Sequence, residues 1–286
     1  MSASPIFIIG AARSGTKFLR DCLRADERIC AVPYDVNYIW RYGQPNGTHD
    51  VIAADSVDEA QIRFIRKAIG QQARLKNDGI LLEKTVSNSL RVPLVETVFP
   101  DARYIHLVRD GRDVAVSAMR EWAAPPDYRR LLEKLMRIPF SNLPYVFWFM
   151  RNSILGGGSK DSDHVKVWGP RYPGIEEDTK ARSLAEVCAI QWQKSVEQSL
   201  ADFAAIPDDR VFTIRYEDLV SDGSKITALA QGLQLDAGAI SSSWEATVNP
   251  GKKRDLTPEQ KAVRAQVEAV LSETLQSLDY SLETQS

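Results

Sequence analysis

The sequence predicts an α/β fold in which a mainly parallel β-sheet is flanked by helices. Two observations carry that prediction. Short, continuous apolar runs recur along the chain and end in glycine or polar residues, as strands buried on both faces do. Between them lie segments with apolar residues three and four apart, the stripe of a helix that covers a sheet. Strand and helix alternating in this way build right-handed βαβ units, which make a parallel sheet covered on both sides. With 44% hydrophobic and 26% charged residues among 286, the chain has the composition of a globular protein with a sizeable core. That composition argues against general disorder, and the lack of a Gly-X-Y period excludes a collagen-like rod.

Taken in order, Pro5-Ile-Phe-Ile-Ile-Gly10 reads as the first strand, and Phe18, Leu19, Cys22 and Leu23 give a helical stripe over 15–24. A second apolar run covers 29–32, and Ile62, Ile65 and Ile69 mark a helix around 57–75. Ile80-Leu-Leu82 is a strand, Leu90 to Phe99 a helix, Arg103 to Val108 a strand and Asp110 to Trp122 a helix. Leu184 to Phe203 is a strong helix, Val211 to Ile214 a strand, and Pro258 to Leu278 a closing helix. Residues 281–286 are expected to fray. We read one domain over 1–286, with a C-terminal loop and helix at about 240–280.

The rhythm breaks at about 123–180. This stretch holds Pro125-Pro126, a basic patch (Arg129, Arg130, Lys134, Arg137), the aromatic run Tyr145, Phe147, Trp148, Phe149, and Gly156-Gly-Gly158. A loop of that length without structure of its own is uncommon, so a largely helical insertion over the active site is expected. Its apolar face either joins the core or forms a groove for a saccharide with an apolar anchor, with peripheral membrane contact through 138–155.

Charge and cysteine usage narrow the function classes. Lys plus Arg number 36 against 38 Asp plus Glu, a net charge of −2, so the chain as a whole has no pull towards nucleic acid or anionic membrane. Any anion site must be a local cluster of basic groups. Cys22, Cys30 and Cys188 have no paired spacing, which gives neither a disulfide framework nor a zinc site. No signal peptide is read at the N-terminus, and 138–155 is interrupted by Pro139, Asn142, Pro144, Arg151 and Asn152, too broken for a spanning helix. A cytoplasmic protein is the expectation.

Ligands of parallel sheets bind at the carboxyl ends of the strands, near the point where strand order reverses. Here those ends are Gly10, Leu82 and Val108, each followed by a polar cluster. In Gly10-Ala-Ala-Arg-Ser-Gly-Thr-Lys17, Gly10 and Gly15 let the backbone curl so that N–H groups and a helix N-terminus face an anion. Ser14 and Thr16 add hydroxyls; Arg13 and Lys17 add charge. Thr16-Lys17 reverses the Lys-Ser/Thr order of a nucleotide triphosphatase loop. The second cluster, Val108-Arg-Asp-Gly-Arg-Asp-Val-Ala-Val-Ser117, ends a strand with Arg109, suited to forked pairing with a phosphate, and places Ser117 two turns into the next helix. Asp110 suits a helix cap. Two anion-friendly strand ends suggest a ligand with two separated anionic groups.

Arg-Ser-Gly-Thr after the first strand, followed by Val-Arg-Asp-Gly-Arg-Asp-Val-Ala-Val-Ser, resembles the sulfotransferases that use 3′-phosphoadenosine 5′-phosphosulfate (PAPS). Glu83-Lys-Thr and Arg215-Tyr-Glu-Asp-Leu219 fall in the matching order, and the likeness covers roughly residues 5–220. It is closer to the bacterial, tyrosylprotein and glycan branches than to branches with Lys in the first motif. The resemblance implies a P-loop-like fold and PAPS as co-substrate, with no metal. It implies that Arg13, Ser14, Gly15, Thr16 and Lys17 hold the 5′-phosphosulfate and that Arg109 and Ser117 hold the 3′-phosphate. Arg13 would also steady the bridging oxygen, Lys84 approach the transferred group, and Tyr216 lie near the nucleotide. Gly251-Lys-Lys-Arg254 sits where the family often closes a loop over the 3′-phosphate; the other reading is a solvated surface run.

An acceptor hydroxyl needs a base. His106 lies inside a strand and His49 and His164 in loops, and Lys84 is followed by Thr85-Val86-Ser87 without histidine, so a carboxylate is preferred. Asp35, in Val32-Pro-Tyr-Asp-Val-Asn37, lies where the glycan and tyrosine branches place a Glu; a turn-forming or substrate-positioning role is the alternative. Glu83 is the second candidate, or a partner of Lys84 or Arg13. The reading is an O-sulfotransferase acting on a carbohydrate or glycolipid. The rival is a P-loop kinase of a small metabolite, for which the Thr16-Lys17 order and the weak stand-in Leu81-Leu82-Glu83 are poor fits. A nucleotide-binding module without activity is a third reading.

Overall fold

The computed structural model describes residues 4–44, 49–123, 167–248 and 256–282. The basic patch at 129–137, the aromatic run at 145–149, the 138–155 segment, the Gly156-Gly-Gly158 run, His164 and Gly251-Lys-Lys-Arg254 lie outside these residues.

Five strands, β1 (Ile6–Ile9), β2 (Ile29–Ala31), β3 (Ile80–Glu83), β4 (Arg103–Val108) and β5 (Val211–Arg215), form one sheet in the order β2-β3-β1-β4-β5. Every neighbouring pair is parallel. Side chains alternate between the faces, so one strand feeds two cores. Phe7 and Ile9 of β1, Leu81 of β3 and Tyr104 of β4 enter one cluster; Ile6, Ile8, Leu82, Ile105 and Leu107 enter the other. This is why the strands read as unbroken apolar runs rather than as alternating ones.

On the Phe7 face lie α2 (Asn37–Trp40), α3 (Glu59–Ala73) and α4 (Val92–Val98), with Trp40, Ile65, Ile69, Val95 and Val98 buried against the sheet. The helix expected over 57–75 starts at Glu59 because Asp58 and Gln61 form a capping box. The helix expected from Leu90 begins two residues later, at Val92; a 3₁₀ turn occupies Val86–Leu90, and Pro93 takes a first-turn position where its missing N–H costs nothing. The opposite face carries α1 (Thr16–Leu23) with Leu19 and Leu23 packed inward.

Two long helices flank the turn after β4. Helix α5 (Gly111–Ala123) is crossed by α7 (Leu184–Phe203), which follows a shorter α6 (Ile175–Ala181) and opens on a Ser183–Glu186 capping box. The C-terminal α11 (Pro258–Ser277) packs on both, burying Val267, Leu271 and Leu275 against Val114, Cys188 and Trp192. Between β5 and α11 the chain forms α8 (Tyr216–Ser221), α9 (Gly223–Gly232) and α10 (Ala237–Thr247), which the sequence pattern does not announce. Glycines and the Ser241-Ser242-Ser243 run give this stretch weak intrinsic helicity. Caps from Asp222 and Asp236 and burial of Leu219, Ile226, Leu229, Ile240 and Trp244 on the sheet override it.

His106 of β4 is buried between Phe203 and Ser199 of α7, with Ser199 Oγ 3.2 Å from its Nε2. Burial lowers its pKa to about 4. The unfolded chain therefore binds the extra proton first, so the contribution of a neutral His106 is complete above about pH 6.5 and is lost as pH falls through 4. Over that window we expect the wild type to lose roughly 3 kcal/mol of urea-measured stability relative to a His106→Leu variant. Parallel stability profiles for the two proteins from pH 7 to 4 would refute this.

Candidate functional site

Parallel pairing puts every strand-to-helix turn on one edge of the sheet. The turn after β1 carries residues 10–15, that after β3 carries Lys84, that after β4 carries Arg109, that after β5 carries Tyr216, and the loop after β2 carries Asp35. The central position of β1, between β3 and β4, sets its turn in the middle of these groups.

Within that turn, Arg13 (φ 70) and Gly15 (φ 92) adopt left-handed conformations on either side of Ser14. Alternation of this kind bends successive N–H groups into one concavity, a nest for anions, at the N-terminus of α1. Glycine tolerates the conformation; arginine does so at a cost of about 1–3 kcal/mol, which is typical of a functional position. A side chain at Gly15 would also collide with Tyr216, whose Cδ2 lies 2.4 Å from where a Cβ would stand. The Ser14 hydroxyl is fully buried and finds no hydrogen-bond partner among the described residues. A buried hydroxyl without a partner is costly, and an anion seated in the nest would satisfy it.

Arg109 draws the second turn onto the first. Its Nη1 donates to the Arg13 carbonyl at 3.1 Å, and its guanidinium lies over the Tyr216 ring, 4.5 Å from the centroid. Tyr216 in turn meets Phe18 of α1 edge-on, with centroids 6.5 Å apart. Ser117, on α5 and 104 residues further along the chain, accepts a hydrogen bond from Arg13 Nε at 3.0 Å. The same guanidinium pairs with Glu121 at 3.1 Å. Arg13, Ser14, Gly15, Thr16, Arg109, Ser117 and Tyr216 thus form one patch. The Lys17 ammonium does not join it: it is largely exposed and pairs with Asp21 one turn further along α1, at 2.8 Å. Glu121 escaped sequence reading, although its position four residues after Ser117 puts both on one helix face.

On the other side of β1, Lys84 and Asp35 meet at 2.7 Å. The Lys84 side chain is nearly buried whereas Asp35 keeps about a third of its surface (36%) open, so this pair presents a carboxylate outwards. Glu83 differs sharply. It is fully buried, accepting from Thr85 Oγ1 and, at 3.0 Å, from Asn88 Nδ2. Burial, reinforced by the nearby Asp35 charge and opposed by the Thr85 hydrogen bond, pushes the Glu83 carboxyl up to about 7. With no exposed oxygen, it cannot meet an acceptor as Asp35 can. Among the described residues no group of three or more His, Cys, Asp or Glu side chains is placed to hold a metal ion, and no helix is long and apolar enough to cross a membrane.

Part of the sequence and the fold as a whole are similar to known proteins. Residues 5–139, which include the turns after β1, β3 and β4, match the sulfotransferase family. No curated protein sequence matches the chain. Among solved structures, sulfotransferase STF9 from Mycobacterium avium superposes with a TM-score of 0.54 at 12% identity, covering 99% of this chain and 79% of that one. The sulfotransferase domain from the Synechococcus PCC 7002 olefin synthase gives 0.52 at 16% identity over 99% and 97% of the two chains. A sulfotransferase from Alicyclobacillus acidocaldarius gives 0.50 at 16% identity over 99% of each. At such identities the structures speak for the fold alone, a parallel sheet between helices. The sequence match, over residues 5–139, takes in the loops at its carboxyl edge that carry Arg13, Lys84 and Arg109, and in that stretch the chain is similar to the sulfotransferase family.

Proposed function

We propose that the protein transfers the sulfuryl group of PAPS to an acceptor hydroxyl, on a saccharide or glycolipid. The observation that carries this reading is the nest at 13–15, with its buried, unpartnered Ser14 hydroxyl and with Arg109 and Ser117 drawn onto Arg13. A donor with two separated anionic groups fits such a patch: the N–H groups of the nest, Ser14, Thr16 and Arg13 take the 5′-phosphosulfate, and Arg109 with Ser117 takes the 3′-phosphate. Tyr216, already under the Arg109 guanidinium, supports the nucleotide side.

The chemistry then divides among this chain's own groups. Asp35 accepts the acceptor hydroxyl's proton as the acceptor oxygen bonds to sulfur. The bond from sulfur to the bridging phosphate oxygen breaks, and its electron pair stays on that oxygen. Arg13 and the nest N–H groups stabilise the charge that develops there, being fixed before the reaction begins. Lys84 neutralises the sulfuryl oxygens and holds Asp35 in place through the 2.7 Å pair. Support for the saccharide or glycolipid acceptor comes from this carboxylate base, which resembles the glycan branch, and from the absence of a histidine after Lys84. We take the protein to act in the cytoplasm.

Calorimetric titration with adenosine 3′,5′-bisphosphate in the presence of EDTA tests the donor site. We expect metal-free binding by the wild type and a loss of about 2 kcal/mol, roughly thirtyfold, in Arg109→Ala, the usual range for a hydrogen bond to a charged group. Binding of ATP only with Mg²⁺, and none of the bisphosphate, would instead favour phosphoryl transfer. Arg13→Ala should lower kcat on the order of a hundredfold, as removal of one preorganised donor does, while the fold survives. An unchanged kcat in that variant would remove Arg13 from the transition state.

A further inference from the structure

Beneath the Asp35–Lys84 pair lies a polar web that the transfer chemistry does not use. Glu83, Thr85, Asn88, Arg91 and Asp50 are each no more than 2% exposed. Against the cost of burial, the Arg91 charge, the Arg171 N–H, Asn37 and Ser87 hold the Asp50 carboxyl below its ordinary range. Such a web is a poor way to gain stability, because well-packed apolar residues of like volume often serve as well or better. Its connections show what it holds.

The web converges on the loop that carries Asp35. Thr85 Oγ1 donates to Glu83 and accepts from the Val36 N–H at 3.0 Å. Glu83 also accepts from Asn88; Asn88 Oδ1 accepts from Arg91 Nε at 3.0 Å; Arg91 Nη2 donates to Asn37 Oδ1 at 2.5 Å. Asn37 Nδ2 then donates to Asp50 at 2.9 Å. From the other side, Arg20 of α1 donates to the Pro33 carbonyl at 2.6 Å. The backbone is therefore fixed two residues before Asp35 and one after it, and the Asn37 side chain is tied a residue further on. Glu83 is the node at which the Thr85 and Asn88 branches meet.

We propose that Thr85 and Glu83 are positioning residues for Asp35: the Thr85 hydroxyl, oriented by Glu83, fixes Val36 so that the Asp35 carboxylate stays on Lys84 with its free side towards the acceptor. This rests on the reading of Asp35 as the base. Thr85 is the place to cut the web, since valine keeps its shape and removes both hydrogen bonds, and serine restores the hydroxyl.

The test compares wild type, Thr85→Val, Thr85→Ser, Asp35→Asn and the Thr85→Val/Asp35→Asn double variant. Two quantities are measured: affinity for adenosine 3′,5′-bisphosphate by calorimetry, and release of that bisphosphate from PAPS with water or an added sugar as acceptor. In Thr85→Val we expect kcat to fall on the order of tenfold or more with bisphosphate affinity within about twofold, and Thr85→Ser to recover most of the rate. In the Asp35→Asn background the valine should cost little more, because two residues acting through one group are not additive. A valine penalty that persists in full without the Asp35 carboxylate, or a bisphosphate affinity that falls as far as kcat, would make Thr85 a merely structural residue. Should Thr85→Val fail to fold, the serine variant decides: a rate well below wild type despite its hydroxyl would overturn the proposal. An Asp35→Asn variant with full activity would instead refute the base assignment, and a wild type blind to the bisphosphate would refute the donor reading.

Discussion

Parallel pairing is the constraint from which the rest of this molecule follows. Five short strands running one way send every connection out over the same edge, and β1 in the middle of the order puts its turn between those of β3 and β4. Arg13, Lys84 and Arg109 are far apart in the chain and come together for that reason alone. An antiparallel sheet of the same composition would divide them between two ends. The functional edge is thus a property of topology before it is a property of any side chain.

The two sides of that edge are made rigid by different means. On the β4 side, the turn after Arg109 is held by buried ion pairs. Arg112 chelates Asp110, at 2.8 and 3.0 Å, and reaches Glu268 of α11, while Arg264 of α11 pairs with Asp113. Against the cost of burial, the Arg112 and Arg264 charges keep Asp110 below its ordinary range, so the web stays ionised. Tyr280, just beyond α11, donates to Glu217, and Glu217 in turn accepts from the Asp110 N–H at 3.0 Å. The C-terminal helix therefore does more than bury apolar surface: it pins the turn from which Arg109 projects. Breaking one partner of such a set leaves a buried charge uncompensated, which costs about 3–5 kcal/mol.

Much of this was legible in the sequence. All five strands, α1, α5, α7 and α11 fall within a residue or two of where apolar runs and helical stripes put them, because burial on both faces leaves a strong, local pattern. The nest could be read from Gly10, Gly15 and their basic and hydroxyl neighbours. What could not be read depends on contacts between distant segments. Helices α8 to α10 are weak by propensity and form because the sheet needs a cover. Lys17 has the composition of a phosphate ligand yet turns to Asp21, an i,i+4 partner that competes for it within α1. Thr85, Asn37 and Asn88 are unremarkable as letters; only the fold reveals that they share hydrogen bonds around one carboxylate.

The contrast between Asp35 and Glu83 shows how position divides the roles of two similar groups. Both are carboxylates at the edge of the same sheet, beside the same Lys84. Asp35 sits on a loop, a third exposed, and is neutralised by one direct ion pair. Glu83 is the last residue of β3, inside the protein, where removal from water favours its neutral form and donors from Thr85 and Asn88 must compensate. A base needs access to a substrate proton, and a scaffold needs saturated hydrogen bonds; neither residue satisfies both demands. Adjacent positions at and just after the end of β3, both withdrawn from water, thus turn the Lys84 ammonium to Asp35 and the Glu83 carboxylate to Thr85 and Asn88.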